Sequence, residues 1–132
     1  MMAAALVGVF GVAGTLVRFA VDTWFAHRAA RSAAVGPGGT LRHWPWATLT
    51  VNVSGCLIIG LSIGITGRFG LAAEWHTAVA TGLAGGLTTF SSWTTATVRL
   101  LTESRFAAAA LNLVANLVVG FAAAAVGIAL AS

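Results

Sequence analysis

The sequence predicts an all-α integral membrane protein of four transmembrane helices, with a break in the third. Three observations predict it. Charged residues make up only 8% of 132 and hydrophobic residues 58%, whereas a soluble domain carries about a quarter charged residues. Four stretches, about 2–25, 46–65, 77–101 and 106–131, reach the roughly 20 apolar residues that a span requires. Finally, Thr81–Trp93 in the third stretch reads TGLAGGLTTFSSW. Its Gly82, Gly85 and Gly86 loosen helical backbone, and Thr81, Thr88, Thr89, Ser91 and Ser92 crowd hydroxyls around Phe90 and Trp93. Non-helical backbone survives in a bilayer only where protein buries it or it lines a wet cavity. A glycine-rich, hydroxyl-rich, aromatic-flanked break reads as an ion site, hence a channel or transporter.

The spans form one domain over 1–132. No charged side chain precedes the apolar run Ala3–Val17 and more spans follow it, so the run reads as a span rather than a signal peptide. The loop HRAARSAAVGPGGTLRHWPW follows, with a turn signal at Pro37-Gly38-Gly39. His27, Arg28 and Arg31 suit a short interfacial helix, and Trp24, Trp44 and Trp46 suit an aromatic belt. The second connection, GRFGLAAEW, is short. The third, near Thr102–Arg105, is almost a tight turn, so spans three and four should pack antiparallel.

The net charge of +4 is carried by arginine, placed at the ends of apolar segments. Orientation and headgroup contact with the lipid bilayer account for that placement, and no nucleic acid is implied. Arg28, Arg31, Arg42, Arg99 and Arg105 fall on one side of a four-span topology and Arg68 on the other. The positive-inside rule therefore places the first and third loops in the cytoplasm and both termini outside. One cysteine, Cys56, excludes an intrachain disulfide and a thiolate metal framework.

A chain this short does not easily enclose a pore alone, so an oligomer is expected. Gly60 and Gly64 form a GxxxG pair that reads as plain helix packing, and Gly82 and Gly86 form another. Asn52 lies mid-span with Thr48 one turn earlier on the same face. Asn112 and Asn116 repeat the spacing in span four, and Gly120 continues their face. A buried amide is either interhelical glue or a pore donor. Arg18 is the charge candidate for the membrane interior, either snorkelling to the interface or drawing an anion into a vestibule. Asp22, Glu74 and Glu103 lie at span ends or in loops, and His27, His43 and His76 in loops or at interfaces. Proton coupling through a buried titratable group is therefore not expected. Amide and hydroxyl donors beside aromatic edges, with no buried acid, suit an anion. Paired carboxylates, an activated nucleophile and a metal-ligand cluster are all lacking, so an enzyme is not expected.

These motifs resemble the Fluc fluoride-channel family, the CrcB-like proteins, over essentially the whole chain. GVAGTLVRF (Gly11–Phe19) is similar to the family's first-span motif and ATLTVNVSG (Ala47–Gly55) to its second, with Ala47 for a usual glycine. TGLAGGLTTFSSW is similar to the third-span motif, the most specific of the three. The resemblance implies an antiparallel dimer of four-helix subunits with two fluoride pores along its interface. It implies a central structural sodium ion held by main-chain carbonyls of Gly85 and Thr88 from each subunit. Asn52 matches the pore asparagine, Thr48 a pore-lining threonine and Phe90 the first of two phenylalanines that contact fluoride, while Thr89 and Ser91 line the same region. The implied role is passive fluoride export across the cell's inner or plasma membrane.

The chain departs from the family pattern at several places. Trp93 replaces the second phenylalanine, and Ala96 stands where a glutamate is frequent. Asn112 and Asn116 hold positions where others carry tyrosine and serine hydroxyls. Inverted homodimers need nearly balanced loops, so the arginine asymmetry raises an alternative: one subunit of a heterodimer with a homologous, oppositely oriented partner, one pore of which does not conduct. A non-conducting assembly subunit is a further alternative. A small multidrug transporter would require a first-span glutamate, which the chain lacks.

Overall fold

The computed structural model describes residues 1–33 and 44–132. The turn signal at Pro37-Gly38-Gly39, Arg42 and His43 lie outside the described residues. The elements are α1 (Met2–Ala33), α2 (Trp46–Phe69), α3 (Ala73–Thr77), a π-helical segment (Ala78–Ala84), α4 (Gly85–Leu87), α5 (Phe90–Thr102) and α6 (Phe106–Ala131). Among the described residues there is no strand. Three helices, Met2–Arg31, Trp46–Phe69 and Phe106–Ala131, are long and apolar enough to cross a membrane. The third apolar stretch folds instead as a series of shorter helical pieces.

At 32 residues, α1 is about 48 Å long, well beyond the roughly 30 Å hydrocarbon core. His27, Arg28 and Arg31 therefore ride on the last turns of α1 itself rather than on a separate interfacial helix. Alanine and arginine are strong helix formers, and HRAARSA continues the helix without a stop signal. The Arg28 guanidinium sits over the Trp24 ring, 5.1 Å from its centroid, a contact suited to an interface. At its far end, α2 is closed by Gly70 with φ of 61°, a left-handed cap that glycine adopts without a Cβ penalty.

The interior is the reverse of a soluble core. Its fully buried apolar residues are mostly small (Ala78, Ala84, Ala109, Ala131), and they share the interior with Thr48, Ser62, Thr89, Thr97, Asn112 and Asn116. Phe19, Phe69, Phe90, Phe106, Phe121 and Leu130 point outward. Lipid tails are as apolar as leucine, so these helices gain by close backbone approach and interhelical hydrogen bonds rather than by hiding large side chains. Two seams show it. A methyl on Gly14 of α1 would collide with the Leu83 carbonyl, which brings α1 against the π-helical segment. A methyl on Gly127 of α6 would stand 2.6 Å from the Leu57 carbonyl and 2.7 Å from the Leu61 nitrogen of α2. Gly60 and Gly64 belong to this second seam, facing Ala124, Ile128 and Ala131, so they serve helix packing.

Between α5 and α6 the turn is short and includes Ser104 at φ of 56°. Here Glu103 receives Arg99 Nε at 2.9 Å and Arg105 Nη1 at 3.2 Å. Hydrogen bonds from these two guanidinium groups hold its carboxyl below the usual range.

The α2–α6 seam is tested by Gly127→Val, with Gly67→Ala as control because nothing approaches Gly67. Overpacking against backbone should cost about 1–3 kcal/mol or more, and the control should stay within about 0.5 kcal/mol. Thermal unfolding in mild detergent reads the difference.

Candidate functional site

Helix α4 ends at Leu87. Thr88 (φ −75°, ψ 158°) and Thr89 (φ −147°, ψ 113°) are extended, and α5 begins at Phe90. Two residues thus depart from helical geometry, and their own four backbone polar groups need partners. Each has one. Thr88 N–H donates to the Ala84 carbonyl at 2.9 Å, and the Thr88 carbonyl accepts Arg18 Nη1 at 3.1 Å. Thr89 N–H donates to Asn52 Oδ1 at 2.8 Å, and its carbonyl accepts Asn52 Nδ2 at 3.4 Å. Asn52 therefore grips the Thr89 peptide groups with both ends of its amide, from a helix 37 positions away in sequence.

The restart of the helix is capped. Thr89 is the N-cap of α5, and its Oγ1 accepts Ser92 N–H at 3.1 Å, satisfying one of the free donors of a helix N-terminus. Thr89 Oγ1 also reaches Ser92 Oγ at 3.1 Å and Ser91 Oγ at 3.3 Å. The result is a cluster of hydroxyls at the positive end of α5, facing the carbonyl end of α4 across the interruption. Paired half-helix ends of this kind present amide donors to anions and carbonyls to cations.

Behind Asn52 the amides of α6 continue the polar contacts. Asn52 Nδ2 donates to Asn116 Oδ1 at 3.0 Å. Asn116 Nδ2 donates to the Asn112 carbonyl at 3.0 Å and to Asn112 Oδ1 at 3.2 Å. Asn112 Nδ2 donates to Thr97 Oγ1 at 2.9 Å, and the Trp93 indole donates to the Asn112 carbonyl at 3.2 Å. The three asparagines and Trp93 thus form one connected set.

A cavity of about 830 Å³ opens at the end of the molecule that carries Arg28, Arg99 and Glu103, and it reaches Thr48, Ser91 and Ser92. Two acidic residues, Asp22 and Glu103, and two basic ones, Arg28 and Arg99, share its wall. Arg18 is not among its lining residues; one of its guanidinium nitrogens is bonded to the Thr88 carbonyl. Phe90 is 72% exposed in the single chain; it stands apart from the amides, edge-on to Trp93 with centroids 5.6 Å apart and planes at 77°. Gly85 is exposed at the start of α4. Among the described residues there is no group of three or more His, Cys, Asp or Glu side chains that could hold a metal.

Sequence reasoning named Ser92 only as one of the hydroxyls around the break and passed over Thr97. The N-cap spacing Thr89-x-x-Ser92 was available to mark the first. The second gave no signal, because the partner that ties it to the site, Asn112, lies on another helix.

Asn52→Leu should leave both Thr89 backbone groups without their partner and cost about 1–3 kcal/mol. Equilibrium unfolding in mild detergent measures it, and an unchanged stability would show that the grip on Thr89 is dispensable.

Residues 5–128 match the family described as CrcB-like protein, Camphor Resistance (CrcB). The chain is 44% identical over 126 residues to the fluoride-specific ion channel FluC of Renibacterium salmoninarum, covering 96% of each protein. It is 37% identical over 126 residues to the channel of the same name from Syntrophotalea carbinolica, covering 95% of this chain and 94% of that protein. The fluoride-specific ion channel FluC 1 of Symbiobacterium thermophilum is 36% identical over 126 residues, with the same coverage. Three apolar helices and this kinship with ion channels make the chain a membrane protein, and it belongs to the CrcB-like family.

Proposed function

We propose that the chain is a fluoride-selective passive channel, not an enzyme, that lets fluoride leave the cell across its plasma (inner) membrane. The observation that carries the reading is the interruption at Thr88–Thr89, whose backbone is fully partnered and whose hydroxyl cluster caps α5. Its setting is a chain 44% identical to a protein named as a fluoride-specific ion channel. The third span is broken within the bilayer, and fluoride passes along the hydroxyl and aromatic side of that break. Thr48, Thr89 and Ser91 supply hydroxyls, Asn52 fixes the backbone beside them, and Phe90 and Trp93 present ring edges, the positive part of the aromatic quadrupole. Asn112 and Asn116 form the inner wall. Arg18, bound to the Thr88 carbonyl, sets a fixed positive charge near the path.

The exposed Phe90 requires a second surface to close a pore around it. A second subunit in inverted orientation supplies that surface and makes two pores at the shared interface. The carbonyls of Gly85 and Thr88 are hard oxygen donors that suit a structural sodium ion. Hard cations take six or so oxygens; the same carbonyls from the second subunit would raise the set from two to four, with the Thr88 oxygen shared with Arg18. Bound there, sodium would neutralise converging carbonyl dipoles at the dimer centre.

The arginine distribution favours a second reading of the assembly. Five arginines on one side against one on the other suit a single orientation, and therefore a homologous partner chain with the opposite bias, one pore of the pair not conducting.

Purified protein in liposomes should release fluoride rapidly and hold chloride. Phe90→Ile, which removes the ring edge, should lower efflux by tenfold or more at unchanged assembly, about 1.4 kcal/mol of lost stabilisation. Silence from folded protein alone, with flux restored by an inverted homologue, would select the heterodimer. Equal chloride and fluoride release would contradict the selectivity.

A further inference from the structure

We propose that Thr97 is a positioning residue for the Thr88–Thr89 interruption, acting through a buried amide relay of Asn112, Asn116 and Asn52. The role in conduction rests on the channel reading above; the effect on backbone order does not.

The argument is one of donor polarity. Thr97 Oγ1 has a single hydrogen, and it is committed to the Trp93 carbonyl at 2.8 Å, one turn earlier in α5. Toward Asn112 it therefore acts only as an acceptor. Asn112 is 0% exposed and must turn its nitrogen to Thr97, which leaves its oxygen toward Asn116. Asn116 must then present nitrogen to Asn112 and oxygen to Asn52. Asn52 answers with its nitrogen, which also meets the Thr89 carbonyl, and keeps its oxygen for Thr89 N–H.

An amide's two ends are nearly isosteric, so shape does not fix this order. A flip at any member sets oxygen against oxygen or N–H against N–H. Asn52 and Asn116 each have both amide hydrogens engaged within the relay, so neither has slack to absorb such a flip. Thr97 fixes the polarity from one end and the Thr89 peptide groups from the other. In an interior with little competing water, a satisfied network of this kind specifies one arrangement, and a partly satisfied one does not. The span-four amides thus serve as a brace for the broken backbone, with their donors turned inward rather than toward an ion.

The test compares Thr97→Val, which keeps the shape and removes the hydroxyl, with Thr97→Ser, which keeps the hydroxyl. The full chain is used, with two readouts: backbone amide exchange by residue, and fluoride efflux from liposomes. Thr97→Val should raise exchange over residues 88–92 about threefold, the scale of one interhelical hydrogen bond in a membrane. The α2–α6 seam around Gly60 and Gly127 should keep its protection, and efflux should fall by a similar factor. Thr97→Ser should match the unmodified chain in both readouts. No change over 88–92, or a rise spread equally through α2 and α6, would overturn the proposal. If Thr97→Val does not fold, the double variant Thr97→Val/Asn112→Leu removes the orphaned Asn112 amide as well and leaves Asn116 its bond to the residue-112 carbonyl. It should show the same local rise, and its absence would equally overturn the proposal. If the unmodified chain moves no fluoride, the channel reading fails, while the exchange result still decides the relay.

Discussion

The structure depends on one constraint: peptide groups that leave a helix inside a bilayer must find partners in the protein. Thr88 and Thr89 are the residues that leave, and much of the rest is arranged around them. Arg18 comes from α1 to the Thr88 carbonyl, and Asn52 comes from α2 to both polar groups of Thr89. Thr89 in turn caps the helix that follows. Side chains from two separate helices therefore converge on two residues. Placing a charged side chain and a carboxamide in such an interior is costly on its own, and here each is matched to a specific backbone atom.

Close convergence requires thin helices. Glycine at 14 lets α1 touch the backbone at Leu83, and glycine at 127 lets α6 touch α2. Many of the large side chains that would fill a soluble core instead face outward from the chain. The same design explains how asparagines from α2 and α6 come within 3.0 Å of each other. Bulkier residues along the seam would hold the helices apart and open the amide contacts. Packing and polar chemistry are here one arrangement, since the small residues bring the hydrogen-bonding groups into reach.

Much of this was legible in the sequence because it is local. The four apolar stretches followed from length and composition, and the glycines and hydroxyls of TGLAGGLTTFSSW pointed to the segment where Thr88 and Thr89 turn extended. The i, i+4 spacing of Asn112 and Asn116 marked a polar face, and these two side chains do meet. What escaped was set by other helices. Arg18 read equally well as snorkelling or as a vestibule charge, and its partner lies 70 positions away. Thr97 looked like any span threonine until Asn112, 15 positions later, was placed against it. The first helix ran past its expected end because HRAARSA has charge but no helix stop. Phe90 is exposed in the single chain and meets Trp93 edge-on, a placement that its sequence neighbours alone do not specify.

The most direct test of this account is solid-state NMR of the protein in bilayers, reading the 13C chemical shifts of Thr88 and Thr89. The account predicts extended-type shifts at both residues, flanked by helical shifts at Leu87 and Phe90, with cross-peaks from the Asn52 side-chain amide to Thr89. Helical shifts continuing unbroken through 85–92, with no contact from Asn52, would contradict it.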